Sequence, residues 1–250
     1  MKIARFKYQN KITYGIVCGD RVQFVQGSIF SKFKISNKII KLSKVKLLAP
    51  VVPSKIVCVG LNYKDHAKEL KMAMPKDPIL FLKPPSSVIG HNQNIIYPKT
   101  SKRVDYEAEL AIVIKKTCKN INKQNAKKYI LGYTCLNDVT ARDIQKKDRQ
   151  WTRAKSFDSF CPIGPCISTV VNPDNLSVKL FLNNKLRQSS NTGNFIFKTD
   201  FIVSFISKIM TLKSGDVIAT GTPPGIGPMK QKDIVEVRIE GIGSLINLVK

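Results

Sequence analysis

The chain has 250 residues, 42 of them lysine or arginine against 17 aspartates and glutamates, for a formal net charge of +25. Its 43% hydrophobic content suits one well-buried domain or one domain with a small appendage, and no apolar run approaches the ~20 residues of a membrane span. The charge raises the question of a nucleic-acid partner, but only 8 of the basic residues are arginines and the lysines are dispersed without a basic arm, so the reading is no nucleic acid and no membrane, with a solvated cationic surface that attracts small anionic substrates.

Residues 1–48, with "KIARFKYQ", "ITYGIVCG" and "RVQFVQG", read as a small β-rich N-terminal region. "LLAPVVPSK" carries two prolines and reads as a linker into a main body spanning 55–250. There "KIVCVGLN" is a buried strand, and "YKDHAKELKMAM" is a helix that ends before Pro75. "PILFLK" and "NIIYP" are short strands, and "VDYEAELAIVI" (Val104 to Ile114) is one long strand. "NKQNAKKYIL" suggests a helix, and "GYTCLNDVT" a strand with a polar end. "KLFLNN", "DVIAT" and "DIVEVRIEG" are later strands, with a helix around "DFIVSFISKIM". Strands dominate without regular βαβ spacing, which makes the fold class α+β with mixed sheets. Cys18, Cys58, Cys118, Cys135, Cys161 and Cys166 are scattered with no CxxC pair, and the first residues lack a signal-peptide pattern. Both fit a cytoplasmic protein with reduced core thiols.

The long strand carries the strongest chemical signal. Asp105, Glu107 and Glu109 occupy alternate positions and so share a face, which Ala111 and Val113 then turn apolar. Buried carboxylates need a counter-charge, and a hard divalent cation with a preference for oxygen ligands supplies one. Asp138 stands at the polar end of an apolar strand, either as a further ligand or as a turn residue; Asp143 lies five residues on. His66 and Glu69 are three apart, on one face of a helix, where a carboxylate fixes an imidazole's tautomer and suits it to general-base work; the plain alternative is a solvated helix face. A zinc site is disfavoured, because only His66 and His91 exist and no cysteine ligand set accompanies them. Lys155 lies among apolar and small residues, where an ammonium can steady an enolate. "ATGTPPGIGP" lacks a phosphate-loop ending, though Thr220, Gly221 and Thr222 offer donors to an anion.

In chain order, "GLNYKDHAKEL", "ILFLKPPSSVIG", "VDYEAELAIVI", "GYTCLNDVTARDIQ", "WTRAKSFDSFCPIGP", "LRQSSNTGNFIF" and "ATGTPPGIGP" resemble the fumarylacetoacetate hydrolase family. The similarity points to its small bacterial-type members, among them acylpyruvate hydrolases, 2-hydroxyhepta-2,4-diene-1,7-dioate isomerases and related decarboxylases. The resemblance implies a β-rich mixed-sheet roll with few short helices, usually a homodimer. It implies Mg²⁺ or Mn²⁺ on Glu107, Glu109 and Asp138, and a catalytic dyad of His66 and Glu69 on a lid helix. Lys155 matches an enolate-stabilising lysine, and Arg142, Gln145 and Thr222 match substrate-binding positions. The implied activity is metal-dependent chemistry on a 2-oxo acid or 1,3-dicarbonyl compound through a metal-bound enolate. Hydrolysis of a C–C bond or decarboxylation comes first, and isomerisation or tautomerisation is the alternative. Gly193 and Asn194 depart from the family's bulkier approach, and "GPMKQKDIVEV" lacks a glycine common before its Asp. These departures bear on substrate preference.

Overall fold

A computed structural model describes residues 1–250. The N-terminal part contributes β1 (Lys2–Tyr8), β2 (Lys11–Cys18), β3 (Arg21–Gly27), β4 (Phe33–Lys41) and β5 (Lys46–Leu47). Next come β6 (Ile56–Val59), α1 (Lys64–Glu69), β7 (Leu80–Lys83), β8 (Val88–Ile89), β9 (Asn94–Ile95), β10 (Val104–Tyr106) and β11 (Ala108–Ile114). Then follow β12 (Ile130–Asn137), β13 (Thr140–Ala141), α2 (Arg142–Lys147), α3 (Thr152–Lys155), β14 (Cys161–Ser168), β15 (Ser177–Leu182) and β16 (Lys185–Asn191). The chain closes with α4 (Thr199–Ile209), β17 (Val217–Ala219), β18 (Gly227–Met229), β19 (Ile234–Ile239) and β20 (Gly243–Val249).

A 12-stranded mixed sheet runs β4-β3-β2-β1-β14-β12-β11-β17-β6-β7, with β5 on β1 and β8 on β14. A five-stranded sheet, β16-β15-β19-β20-β9, packs against it, and a three-stranded sheet, β13-β10-β18, shares the larger apolar cluster with both. β11 lies inside the large sheet and is buried along its whole length. Leu110, Ile112 and Ile114 join the larger apolar cluster, with Val178, Val237 and Leu245 of the second sheet. Ala111 and Val113 point the other way, into a cluster with Ile3, Ile56 and Ile163. A strand covered on both faces reads as a continuous apolar run, which is how "AELAIVI" reads after its glutamate. Ile202, Val203 and Ile206 of α4 belong to the larger cluster. The fold is strand-dominated with few, short helices, as the sequence implies. The N-terminal strands extend the large sheet through antiparallel pairing of β1 with β14.

Several elements differ from the sequence reading. "VDYEAELAIVI" is not one strand. It breaks at Glu107, so that β10 pairs with β13 and β18 while β11 pairs with β12 and β17. The amides at the break are taken by side chains: Glu107 N–H donates to Asn137 Oδ1 and Ala108 N–H to Gln188 Oε1, each at 2.9 Å. The helix expected through Met74 stops at Glu69, and Lys71 follows with a left-handed φ of 55°. Leu70, Met72 and Met74 are exposed, so no apolar face sustains a longer helix. Residues Lys123–Tyr129 form a 3₁₀ segment rather than an α-helix, and the short helices α2 and α3 were not foreseen.

Candidate active site

The break at Glu107 turns the chain from one sheet into another, and the acids gather there. Glu107 sits between β10 and β11, Glu109 is the second residue of β11, and Asp138 follows the last residue of β12. Antiparallel pairing sets Ala108 opposite Asn137, and the Asp138 amide donates to the Glu107 carbonyl at 2.9 Å. One carboxylate oxygen from each of Glu107, Glu109 and Asp138 lies within 4.8 Å of the others, and all three residues are buried. Asp105 is buried too but lies outside the triad, accepting from Arg103 Nε and Arg142 Nε, both at 2.9 Å. Asp143 is apart from the cluster, accepting from Ser101 and Lys102.

Two lysines and an arginine press on the acids. Lys155, on α3, donates to Asp138 Oδ2 at 2.7 Å and to Glu107 Oε2 at 3.0 Å. Lys83, at the end of β7, donates to Asp138 Oδ1 at 2.5 Å and to the Val139 carbonyl at 3.0 Å. Arg142 reaches Glu107 Oε1 through one guanidinium nitrogen and Gln145 Oε1 through another. Burial alone would push the Glu107 carboxyl up, but Lys155 and Arg142 outweigh it and hold it at about 2. Burial likewise works against the Lys155 ammonium, and Asp138 and Glu107 overcome that and raise it. Glu109 has no cation in hydrogen-bond reach; it accepts from the Gly221 amide at 2.7 Å. Burial, then Asp138 and Glu107, push its carboxyl well above the usual range. Three buried, hard oxygen donors with one acid left uncompensated fit a divalent cation of the Mg²⁺ or Mn²⁺ type.

His66 and Glu69 do share a face of α1, with His66 Nδ1 at 2.7 Å from Glu69 Oε2 and the ring buried. The other Glu69 oxygen accepts from the Gly225 amide at 3.0 Å. The loop after β17 therefore touches both groups: Gly221 holds the cluster acid and Gly225 holds the dyad acid. Both glycines need their freedom, with φ of +93° and +92° and backbone so close that a Cβ would collide. The loop's hydroxyls are committed rather than free for an anion. Thr220 Oγ1 donates to the Leu110 carbonyl, and Thr222 Oγ1 donates to the Ala108 carbonyl while accepting from Gln188. His91 lies elsewhere, its Nδ1 accepting from the Ile246 amide.

Sequence reasoning missed Lys83, Gln188 and the Asp105–Arg103–Arg142 ion-pair group that Arg142 links to Glu107. The signal for Lys83 was present: an ionisable residue closing the apolar strand "PILFLK" needs a buried acid. Nothing local marks Gln188, whose partners are 80 and 34 residues away.

Comparison with known proteins gives this arrangement its relatives. Residues 55–250 match the family model described as fumarylacetoacetate (FAA) hydrolase C-terminal, and residues 1–50 match one described as Rv2993c-like, N-terminal. Oxaloacetate tautomerase Fahd2a, mitochondrial, of Rattus norvegicus is 43% identical over 223 residues, covering 84% of this chain and 71% of that protein. The crystal structure of 5-carboxymethyl-2-hydroxymuconate delta-isomerase from Mycobacterium smegmatis superposes with a TM-score of 0.94 at 39% identity, covering 100% of this chain and 99% of the other. Maleylpyruvate hydrolase from Sphingobium sp. SYK-6, in complex with manganese (II) ion and pyruvate, gives a TM-score of 0.82 at 29% identity, with coverage of 100% and 98%. With the FAA hydrolase model covering everything from the acid cluster to the loop that holds its glutamates, the chain belongs to the fumarylacetoacetate hydrolase family.

Proposed function

We propose that this chain is a divalent-metal-dependent enzyme that forms the enolate of a small anionic 2-oxo acid. The observation that carries the reading is a three-carboxylate cluster joined by one loop to a pair made by the buried His66 and the more exposed Glu69. A divalent cation, Mg²⁺ or Mn²⁺, held by Glu107, Glu109 and Asp138 supplies Lewis-acid polarisation of the 2-oxo carbonyl. Lys155 and Lys83 add fixed positive charge beside the cluster, so negative charge developing on the substrate is steadied there. Glu69 holds Nδ1 of His66, which leaves Nε2 as the nitrogen that takes and returns a proton. Arg142, which borders Glu107, and Gln145, which accepts from Arg142, are the proposed contacts for a substrate carboxylate, with Thr222 in a supporting position.

Proton transfer on the enolate, as in a tautomerase or isomerase, needs only these groups. It is also the reaction named for the relatives at 39% and 43% identity. Hydrolysis or decarboxylation uses the same enolate and is the second reading, favoured by the maleylpyruvate hydrolase whose structure holds manganese and pyruvate. We place the protein in a homodimer, the assembly the family resemblance implies; light scattering checks it.

The test is a panel of oxaloacetate, acylpyruvates and fumarylacetoacetate, assayed with Mg²⁺ and with chelator. Catalysed keto–enol exchange of oxaloacetate, lost on chelation and in Glu107→Gln, is the expected result. Acylpyruvate cleavage lost in His66→Ala selects the second reading. Turnover indifferent to chelator removes the metal assignment.

A further inference from the structure

We propose that Asp65, Ser190 and Asn194 form a clasp that seats the lid helix and so positions His66; its catalytic consequence rests on the reading of His66 as the proton-transfer group. Asp65 is the second residue of α1. Its Oδ1 accepts from the His66 backbone N–H at 3.0 Å, taking up a first-turn amide that has no partner within the helix. Its Oδ2 accepts from the Ser190 hydroxyl at 2.5 Å and from the Asn194 side-chain amide at 3.2 Å. Asn194 also donates to Ser190 Oγ at 3.1 Å, which closes a triangle around one carboxylate oxygen.

The segment that receives Asp65 is itself built. Asn191 Oδ1 accepts from the Gly193 amide at 2.7 Å and shapes the 3₁₀ turn Thr192–Asn194. Beyond it, Tyr63 and Phe195 form an antiparallel bridge and pack edge to face at 4.8 Å. The Ile196 amide donates to the Asn62 carbonyl at 2.8 Å. Residues 62–66 thus lie in a cradle made by residues 190–196. A helix of six residues is far below the ~12–15 at which helices persist alone, so contacts outside the helix decide where it sits. Its other anchor is Glu69 on the Gly225 amide, after which Leu70, Met72 and Met74 are exposed. Losing the clasp leaves the helix itself with that one polar tether, beside the Asn62 hydrogen bonds and the Tyr63–Phe195 packing that fix the chain just before it.

The clasp gives a physical meaning to Asn194. Its amide can donate to Asp65, whereas a carboxylate at the same position would face Asp65 as a like charge. The departure from the family pattern at this position therefore bears on the seating of the dyad helix as well as on substrate preference.

The experiment compares Asp65→Asn, Asn194→Asp, Ser190→Ala and the double variant Asp65→Asn/Asn194→Asp, which exchanges amide and carboxylate across the contact. Two readouts are taken: kcat and KM with Mg²⁺ on the 2-oxo acid the wild type turns over, and the rate of tryptic cleavage after Lys68, Lys71 and Lys76, with and without Mg²⁺ plus oxalate. Asp65→Asn and Asn194→Asp are expected to lower kcat about tenfold with Mg²⁺ binding unchanged, and to speed cleavage. Ser190→Ala, which leaves the fold least disturbed, is expected to do the same by about threefold. The exchanged pair is expected to recover most of both losses, which a merely structural role for Asp65 would not produce. Single variants with wild-type kcat and cleavage, or an exchanged pair as impaired as the worse single variant, overturn the clasp. If the wild type turns over no 2-oxo acid, the reaction reading fails, and the cleavage arm decides the clasp alone.

Discussion

Glu109 is the acid of the cluster that nothing positive touches. Its raised carboxyl means that metal-free protein carries an energetic penalty once Glu109 ionises, from burial and from two neighbouring carboxylates. Glu109→Gln should therefore raise the melting temperature of chelator-treated protein, by about 3 °C for a chain of this size, and abolish the further rise caused by Mg²⁺; calorimetry with and without chelator measures both. Glu107 behaves in the opposite way. Lys155 and Arg142 hold its carboxyl at about 2, below its ordinary value near 4.5. A depressed acid contributes stability that is present above its ordinary value and is lost as pH falls through the depressed one. Urea unfolding of metal-free protein between about pH 4.5 and 2 should show a stability loss that Glu107→Gln flattens relative to wild type. An equal pH slope in both proteins would show that Glu107 is not the group responsible.

At the scale of elements, the loop after β17 does the joining. A Cβ on Gly221 would meet Asn62 Cβ at 2.8 Å and the Gly60 carbonyl at 2.9 Å, with φ already at +93°. Gly221→Ala should cost about 2–4 kcal/mol in denaturant unfolding and weaken Mg²⁺ binding, because the amide that steadies Glu109 must shift. The sequence displayed the acids and the dyad because alternation and three-residue spacing are local patterns, legible at Glu107, Glu109, His66 and Glu69. It hid the break at Glu107, because the side chains that take its amides, Asn137 and Gln188, are 30 and 80 residues away. It overextended α1 for a related reason. "LKMAM" has good helical propensity, but propensity yields where no core receives the apolar side. Lys155 is legible from its apolar and small neighbours, whereas Lys83 reads as one more lysine in a lysine-rich chain until Asp138 is located beside it in space.

For the whole molecule, the large sheet is shared between the N-terminal strands and the part that carries the acids. Ile3, Ala4 and Phe6 are fully buried, and β1 covers the edge of β14. A chain starting at residue 51 would bare that edge together with an apolar strip, a combination that promotes self-association. Size-exclusion chromatography should show it as aggregate, and a well-behaved fragment would show that β14 tolerates exposure. No helix is long and apolar enough to cross a membrane.

The junction at Glu107 has a further consequence, for which positions the chain is free to vary. Two successive backbone amides there depend on Asn137 and Gln188 rather than on a neighbouring strand. Neither side chain belongs to the acid cluster or to the dyad, and neither composition nor charge singles them out. A library covering every position should nonetheless find them as intolerant as the carboxylates, with Asn137→Asp and Gln188→Glu failing although each new side chain has the same shape. The exchange adds a charge at a point sealed from water, and at Gln188 it also removes the NH₂ that donates to Thr222 Oγ1 and the Pro223 carbonyl.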